Sequence, residues 1–454
     1  MRGGILISAW LAALCVLVLA PASAQAEARP TAVITYYASD DGPPESDFVE
    51  KTADVMFEDG PPKYAYTVEQ YFRTISNGGV DYTGDEGDVY GPYHLATPRA
   101  SCPFNTWNNE ARTLAQGDGF ADSNYAQVIY LYENEPFVAS TCASAGAGGG
   151  SFVWIDSLSG YTIVHELGHA LGSPHAAAYR CFEGATPVAY SASCTEVGTG
   201  GEASEYGDPF DPMGSGYAGS LPAEMSGWRK LGIGGIAAAE APTIAYSGTY
   251  SLAPLEATSG TRLLRIPNGA GDFFDLDFRQ PIGPFDQGFG SGPAVQGVAI
   301  RVDAPRFELS SHPTRLLDMN PATPTFEDAP LAVGRSFRDF RTGVTIETLA
   351  VGAAGATVRI SGLPEPSTLP VVRKCRVPRL KGKSLAGKKG RLEVKKAIKQ
   401  RGCKPGKVKR QHSKKAPKGK VISQRPKAGK MVTAGTKVKV VVSSGPPKAA
   451  KKRR

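Results

Sequence analysis

Beyond its first twenty residues this 454-residue chain has no apolar run long enough to cross a bilayer. No two of its cysteines stand in a C-x-x-C spacing, which argues against a zinc–cysteine site. Residues 371–454 nearly lack acid. They carry 31 Lys and Arg against the single Glu393, and no Phe, Tyr or Trp. With no aromatic side chains to stack on bases, this basic stretch is a poor nucleic-acid binder. The rest of the chain holds 20 basic and 42 acidic residues, so a net charge of +8 hides an acidic body and a basic tail. That asymmetry points to attachment to something anionic.

The N-terminus has the layout of a secretory signal over 1–26. Arg2 gives the positive start, 5–20 is mostly apolar, and Ala22-Ser23-Ala24 or Ala24-Gln25-Ala26 gives the cleavage pattern. The expected location is therefore secreted or associated with the cell wall. The first expected strand follows within a few residues, leaving no room for a long prosegment. Cys15 follows Leu14 rather than a small residue, so it is expected to leave with the signal. Six cysteines remain, an even count suited to an exported protein. Their spacing suggests Cys102 with Cys142, Cys181 with Cys194, and Cys375 with Cys403; other connectivities stay open.

The densest chemistry lies in His165-Glu166-Leu167-Gly168-His169-Ala170-Leu171-Gly172-Ser173-Pro174-His175, an H-E-x-x-H-x-x-G-x-x-H pattern. His165 and His169 stand four apart and share a face if helical. Two imidazoles there can hold one Zn²⁺ at about 2.0–2.1 Å. Gly172 and Pro174 suit an abrupt stop that swings His175 to the same ion. Three histidines leave a fourth position open, as catalytic sites require, and Glu166 is placed to take a proton from water there.

This stretch resembles the extended zinc signature of the metzincin metalloproteases. Met213, in Asp211-Pro212-Met213-Gly214, resembles their methionine turn, and Tyr206-Gly207-Asp208 before it is most similar to the gametolysin-like branch. Some members carry a tyrosine two residues after the methionine; Ser215 stands there, and Tyr217 comes later. The resemblance implies a zinc endopeptidase acting on protein or peptide, with His165, His169 and His175 as ligands and Glu166 as base. It also implies a substrate-pairing edge strand just before the zinc helix, for which Ser151, Phe152, Val153 and Trp154 are the candidates. Asp81, Asp85, Glu86 and Asp88 cluster as Ca²⁺ ligands would, but their spacing does not match the known calcium loop.

Strands are expected over 31–37, 80–93 and 126–132, and helices over 67–76 and 105–116. Short β-rich runs separated by turns fill 243–362, suggesting a sandwich. From Val377, the order V-P-x-L-x-G, helix (385–400), G-x-V, S-Q-x-P-x-x-G, G-T-x-V and a closing strand resembles the PASTA domain, a family associated with peptidoglycan. The expected architecture is multidomain. An α/β metzincin-type catalytic domain (27–235) precedes a β-sandwich-like domain (236–362), a Pro-rich linker (363–374), a small α+β PASTA-like domain (375–446) and a basic tail (447–454). The expected partners are a peptide substrate and an anionic wall polymer or peptidoglycan. The competing reading is an exported wall-binding protein whose main role is not proteolysis.

Overall fold

The computed structural model describes residues 27–57, 64–100, 102–133, 142, 146–191, 201–269, 272–303, 313–365 and 374–447. The expected signal, Cys194, most of the linker and nearly all of the tail lie outside them. The chain divides into two compact units, Met1–Glu365 and Pro366–Arg454.

The first unit opens with a five-stranded sheet. Its order is Val89–His94, Thr31–Tyr37, Gln127–Tyr132, Phe152–Ile155, Gly146–Gly149. All pairings are parallel except the last. Side chains alternate across it, as a period of two requires. Val33, Ile129, Leu131, Val153 and Ile155 face one core with helices Phe48–Met56, Val68–Ile75 and Gly160–Ala170. Ala32, Ile34, Tyr130 and Trp154 face another core with Trp107 and Ala111 of helix Phe104–Gly117. Both faces are covered, which explains why these strands read as apolar runs. Thr67 starts its helix by accepting from Gln70 N at 3.0 Å.

The second sheet runs Gly201–Ser204, Ala177–Glu183, Thr314–Leu317, Gly297–Asp303, Phe273–Asp277, Leu264–Pro267, with Thr186–Val188 and Leu331–Ala332 as side branches. A four-stranded sheet, Gly248–Leu252, Gly355–Ser361, Thr345–Gly352, Ser336–Arg338, shares one core with it through Ile266, Phe274, Ile300, Ile346 and Val358. The structure thus differs from a division at 235/236, because strands from both sides of that point lie in one sheet. Ala177–Glu183 begins two residues after His175 and pairs in parallel with Thr314–Leu317. Non-local pairing of this kind leaves no mark in local composition.

A buried ionic network lies in this unit. Arg301 bonds Asp208 (2.8 Å) and Asp277 (2.7 Å), Arg229 bonds Asp211 (3.2 Å), Arg279 bonds Asp286, and Lys230 bonds Glu224. Each charge has left water and is held by an opposite one, the condition under which buried charge is tolerated.

The second unit is small. Helix Gly387–Lys399 accompanies the sheet Lys404–Gln411, Lys437–Ser443, Val421–Arg425 and the pair Lys374–Arg376 with Met431–Thr433. Val377, Leu380, Val394, Ile398, Val421, Val438, Val440 and Val442 make its core. Gln424, from the S-Q-x-P segment, accepts from Leu380 N (2.7 Å) and donates to Pro378 O (2.8 Å), tying two of the recognised motifs together. Cys375 is bonded to Cys403, and in the first unit Cys102 to Cys142. Cys181 is disulfide-bonded as well. Among the described residues no helix is long and apolar enough to cross a membrane.

Candidate metal centre

Helix Gly160–Ala170 is capped by Ser159, whose hydroxyl accepts from Thr162 N at 3.2 Å. It carries His165 and His169 one turn apart and ends where Gly172 adopts φ +83°, a conformation glycine takes without Cβ strain. The chain then turns, and His175 joins the pair. One ring nitrogen from each histidine lies within 4.8 Å of the others.

The opposite ring nitrogens fix which atoms converge. His165 Nδ1 meets Pro212 O at 2.8 Å, His169 Nδ1 meets Ser173 O at 2.8 Å, and His175 Nδ1 meets Glu205 Oε1 at 2.6 Å. A carbonyl or carboxylate oxygen can only accept, so each Nδ1 carries the proton and each Nε2 keeps its lone pair. Burial lowers the pKa of His165 and pushes that of His169 down to about 4, keeping both rings neutral near pH 7. Three imidazoles with oriented Nε2 atoms are a donor set suited to Zn²⁺, and among the described residues no fourth His, Cys, Asp or Glu ligand joins them to close the site.

Glu166 is buried, and desolvation pushes its carboxyl up to about 7. The strand Gly146–Gly149 lies against it. A Cβ on Gly146 would come within 2.6 Å of Glu166 Cγ and 2.8 Å of Oε1, and one on Gly148 would overlap the Glu166 main-chain carbonyl. The glycine run is therefore a close-packing surface for the helix. This corrects the expected edge strand. Phe152–Ile155 is interior, flanked by Gln127–Tyr132 and Gly146–Gly149, and the glycine strand is the terminal one. Ser151 precedes Phe152–Ile155 in a turn.

Met213 is fully buried beneath the helix, where a Cβ on Gly168 would overlap its sulfur. Its turn is held from several sides. Asp211 Oδ1 accepts from Met213 N (2.9 Å) and Oδ2 from Ser226 N (2.7 Å). Tyr161 donates to Pro212 O or Gly214 O (3.2 and 3.1 Å). Arg229 joins this turn to the arm bearing His175, donating to Pro174 O (2.8 Å), His175 O (2.7 Å) and Asp211. Sequence reasoning missed Arg229, Tyr161 and the role of Gly146 and Gly148. Tyr206 enters the sequence only as part of the motif before Met213. Tyr217 stacks on Tyr161 with ring centroids 4.0 Å apart, whereas Tyr206 lies 4.2 Å from the His175 ring.

The acidic cluster does not gather around a common point. Arg73 pairs with Asp81 (3.1 Å), Asp85 and Asp88 cap the turn Glu86–Asp88, and Asp88 accepts from Tyr125 Oη (2.7 Å). Among the described residues, the histidine trio is the group of metal-ligating side chains close enough to share an ion.

Residues 376–444 match the PASTA domain family. Comparison of the whole chain with curated proteins finds no match.

Proposed function

We propose that the first unit is a zinc-dependent endopeptidase of the metzincin type and that the PASTA unit tethers it to the cell wall after export. The observation that carries the first half is the convergence of three imidazoles, each with Nδ1 engaged, beside the buried carboxylate of Glu166. His165, His169 and His175 would hold the ion. When bound, zinc supplies Lewis acidity, which lowers the pKa of a water and polarises a peptide carbonyl.

The chain's own residues do the rest. Glu166 takes a proton from the attacking water and returns it to the leaving amine, a task favoured by a carboxyl pKa near the working pH. Gly146–Gly149, as the terminal strand beside Glu166, offers main chain to an extended peptide. Such pairing recognises backbone more than side chains. Burial of Glu166 between strand and helix limits its access to bulk water.

For the second unit, the PASTA match and the excess of Lys and Arg support binding to anionic wall material. Metal analysis of the purified chain tests the first half. Zinc should be present in the wild-type protein and lost in His169→Ala. Full retention of zinc in that variant would remove the ligand assignment.

A further inference from the structure

We propose that Glu205 and Tyr206 form a two-residue clamp that positions His175 as the third zinc ligand; this rests on the zinc reading above. His165 and His169 are set by one helix and by two main-chain carbonyls. His175 is placed differently. It lies beyond the helix on an arm, and its Nδ1 is met by a side chain, Glu205 Oε1, at 2.6 Å. The Tyr206 ring lies over it, centroid to centroid 4.2 Å at 45°, and 6.0 Å from the His165 ring. Consecutive residues thus contact one imidazole by a carboxylate at Nδ1 and by an aromatic ring.

The local backbone allows this. Ser204 to Gly207 is a tight turn closed by Gly207 N donating to Ser204 O at 3.1 Å. A Cβ on Gly207 would come within 2.6 Å of Ser204 Cβ and 3.0 Å of Ala178 Cβ, so the turn seats only with glycine there. Both arms are tied at Ala176. Its N–H donates to Met213 O (2.8 Å), and its carbonyl accepts from Asp208 N (3.1 Å). The clamp and the ring it holds are therefore fixed within one to three residues of a common anchor point. Tyr206 remains 47% exposed, so it stands on the solvent side of the histidine cluster. A carboxylate partner at Nδ1 orients a ligating histidine and strengthens its Nε2 as a donor, which two carbonyls do less.

The test is zinc affinity of the full chain, measured without substrate by competition with a chromophoric chelator. Glu205→Ala should bind zinc about 10–100-fold more weakly than wild type. Glu205→Gln should recover most of that loss, because its amide oxygen still accepts from Nδ1–H. Tyr206→Phe should match wild type, and Tyr206→Ala should lose roughly 2–10-fold, the value of one ring contact. The visible spectrum of the cobalt-loaded protein should shift in Glu205→Ala, since the His175 donor changes; lost fold stability alone would leave the spectrum of saturated protein intact. Affinity within about twofold of wild type in Glu205→Ala, with an unchanged cobalt spectrum, overturns the clamp. A wild-type chain that binds no zinc overturns both readings. One that binds zinc and shows this variant pattern but cleaves no peptide supports the clamp and sinks the peptidase reading alone.

Discussion

Glu166 and His169 sit one helical turn apart on the same helix, yet they should fail differently when changed. His169 offers Nε2 to the centre, so His169→Ala should empty it. Glu166 is outside the ligand trio. Glu166→Ala should keep its zinc and lose peptide hydrolysis by about 10²–10⁴-fold, the contribution of a positioned acid–base group. Rates near wild type in a zinc-loaded Glu166→Ala would remove it as the base. Arg229 tests the scaffold. Its side chain and that of Asp211 are fully buried, and it also donates to the carbonyls of Pro174 and His175. Arg229→Ala strands a buried carboxylate, which should cost about 3–5 kcal/mol in denaturant unfolding. A loss below about 1 kcal/mol would show that the pair contributes little.

At the scale of elements, the glycine strand is the part whose sequence and position say most about use. Gly148→Val would place a branched side chain against the Glu166 carbonyl and near its Oε2. The strand must then move off the helix, so hydrolysis should fall steeply while zinc content stays, as the three histidines of the metal centre lie outside this strand. Unchanged hydrolysis would remove Gly146–Gly149 from the substrate-facing side. This strand was not legible in the sequence, because an Ala/Gly run carries no alternation and its reason lies in packing against Glu166. Helix Val68–Ile75 was legible, since Val68, Tyr71, Phe72 and Ile75 repeat with helical spacing and Thr67 caps them. Thr31–Tyr37 and Gln127–Tyr132 were legible as β-branched and aromatic runs. Helix Phe48–Met56 and strand Ala177–Glu183 were not. The latter is fixed by partners at Thr314–Leu317, over a hundred residues away. The three histidines could be read as a group from spacing alone. Glu205 could not, because it stands thirty positions after His175 with three strands between them.

For the whole molecule, charge and chemistry lie in different units. The histidine trio and Glu166 belong to Met1–Glu365, and the Lys- and Arg-rich PASTA match to Pro366–Arg454. Truncation after Glu365 should therefore abolish binding to purified wall fragments and leave hydrolysis of a small soluble peptide unchanged. Equal wall binding by both forms would place the anchor elsewhere. Salt separates two modes of attachment, because the Debye length falls from about 10 Å at 0.1 M to about 3 Å at 1 M. Binding lost at moderate salt would mean plain polycation attraction, whereas a fold-based site should persist. Zinc-dependent peptide hydrolysis by the first unit is checked by profiling a broad peptide library with the full chain before chelation, after chelation, and after zinc is restored. Cleavage that chelation abolishes and zinc returns is the expected result. Cleavage indifferent to chelation, or none at all from zinc-loaded protein, would contradict it.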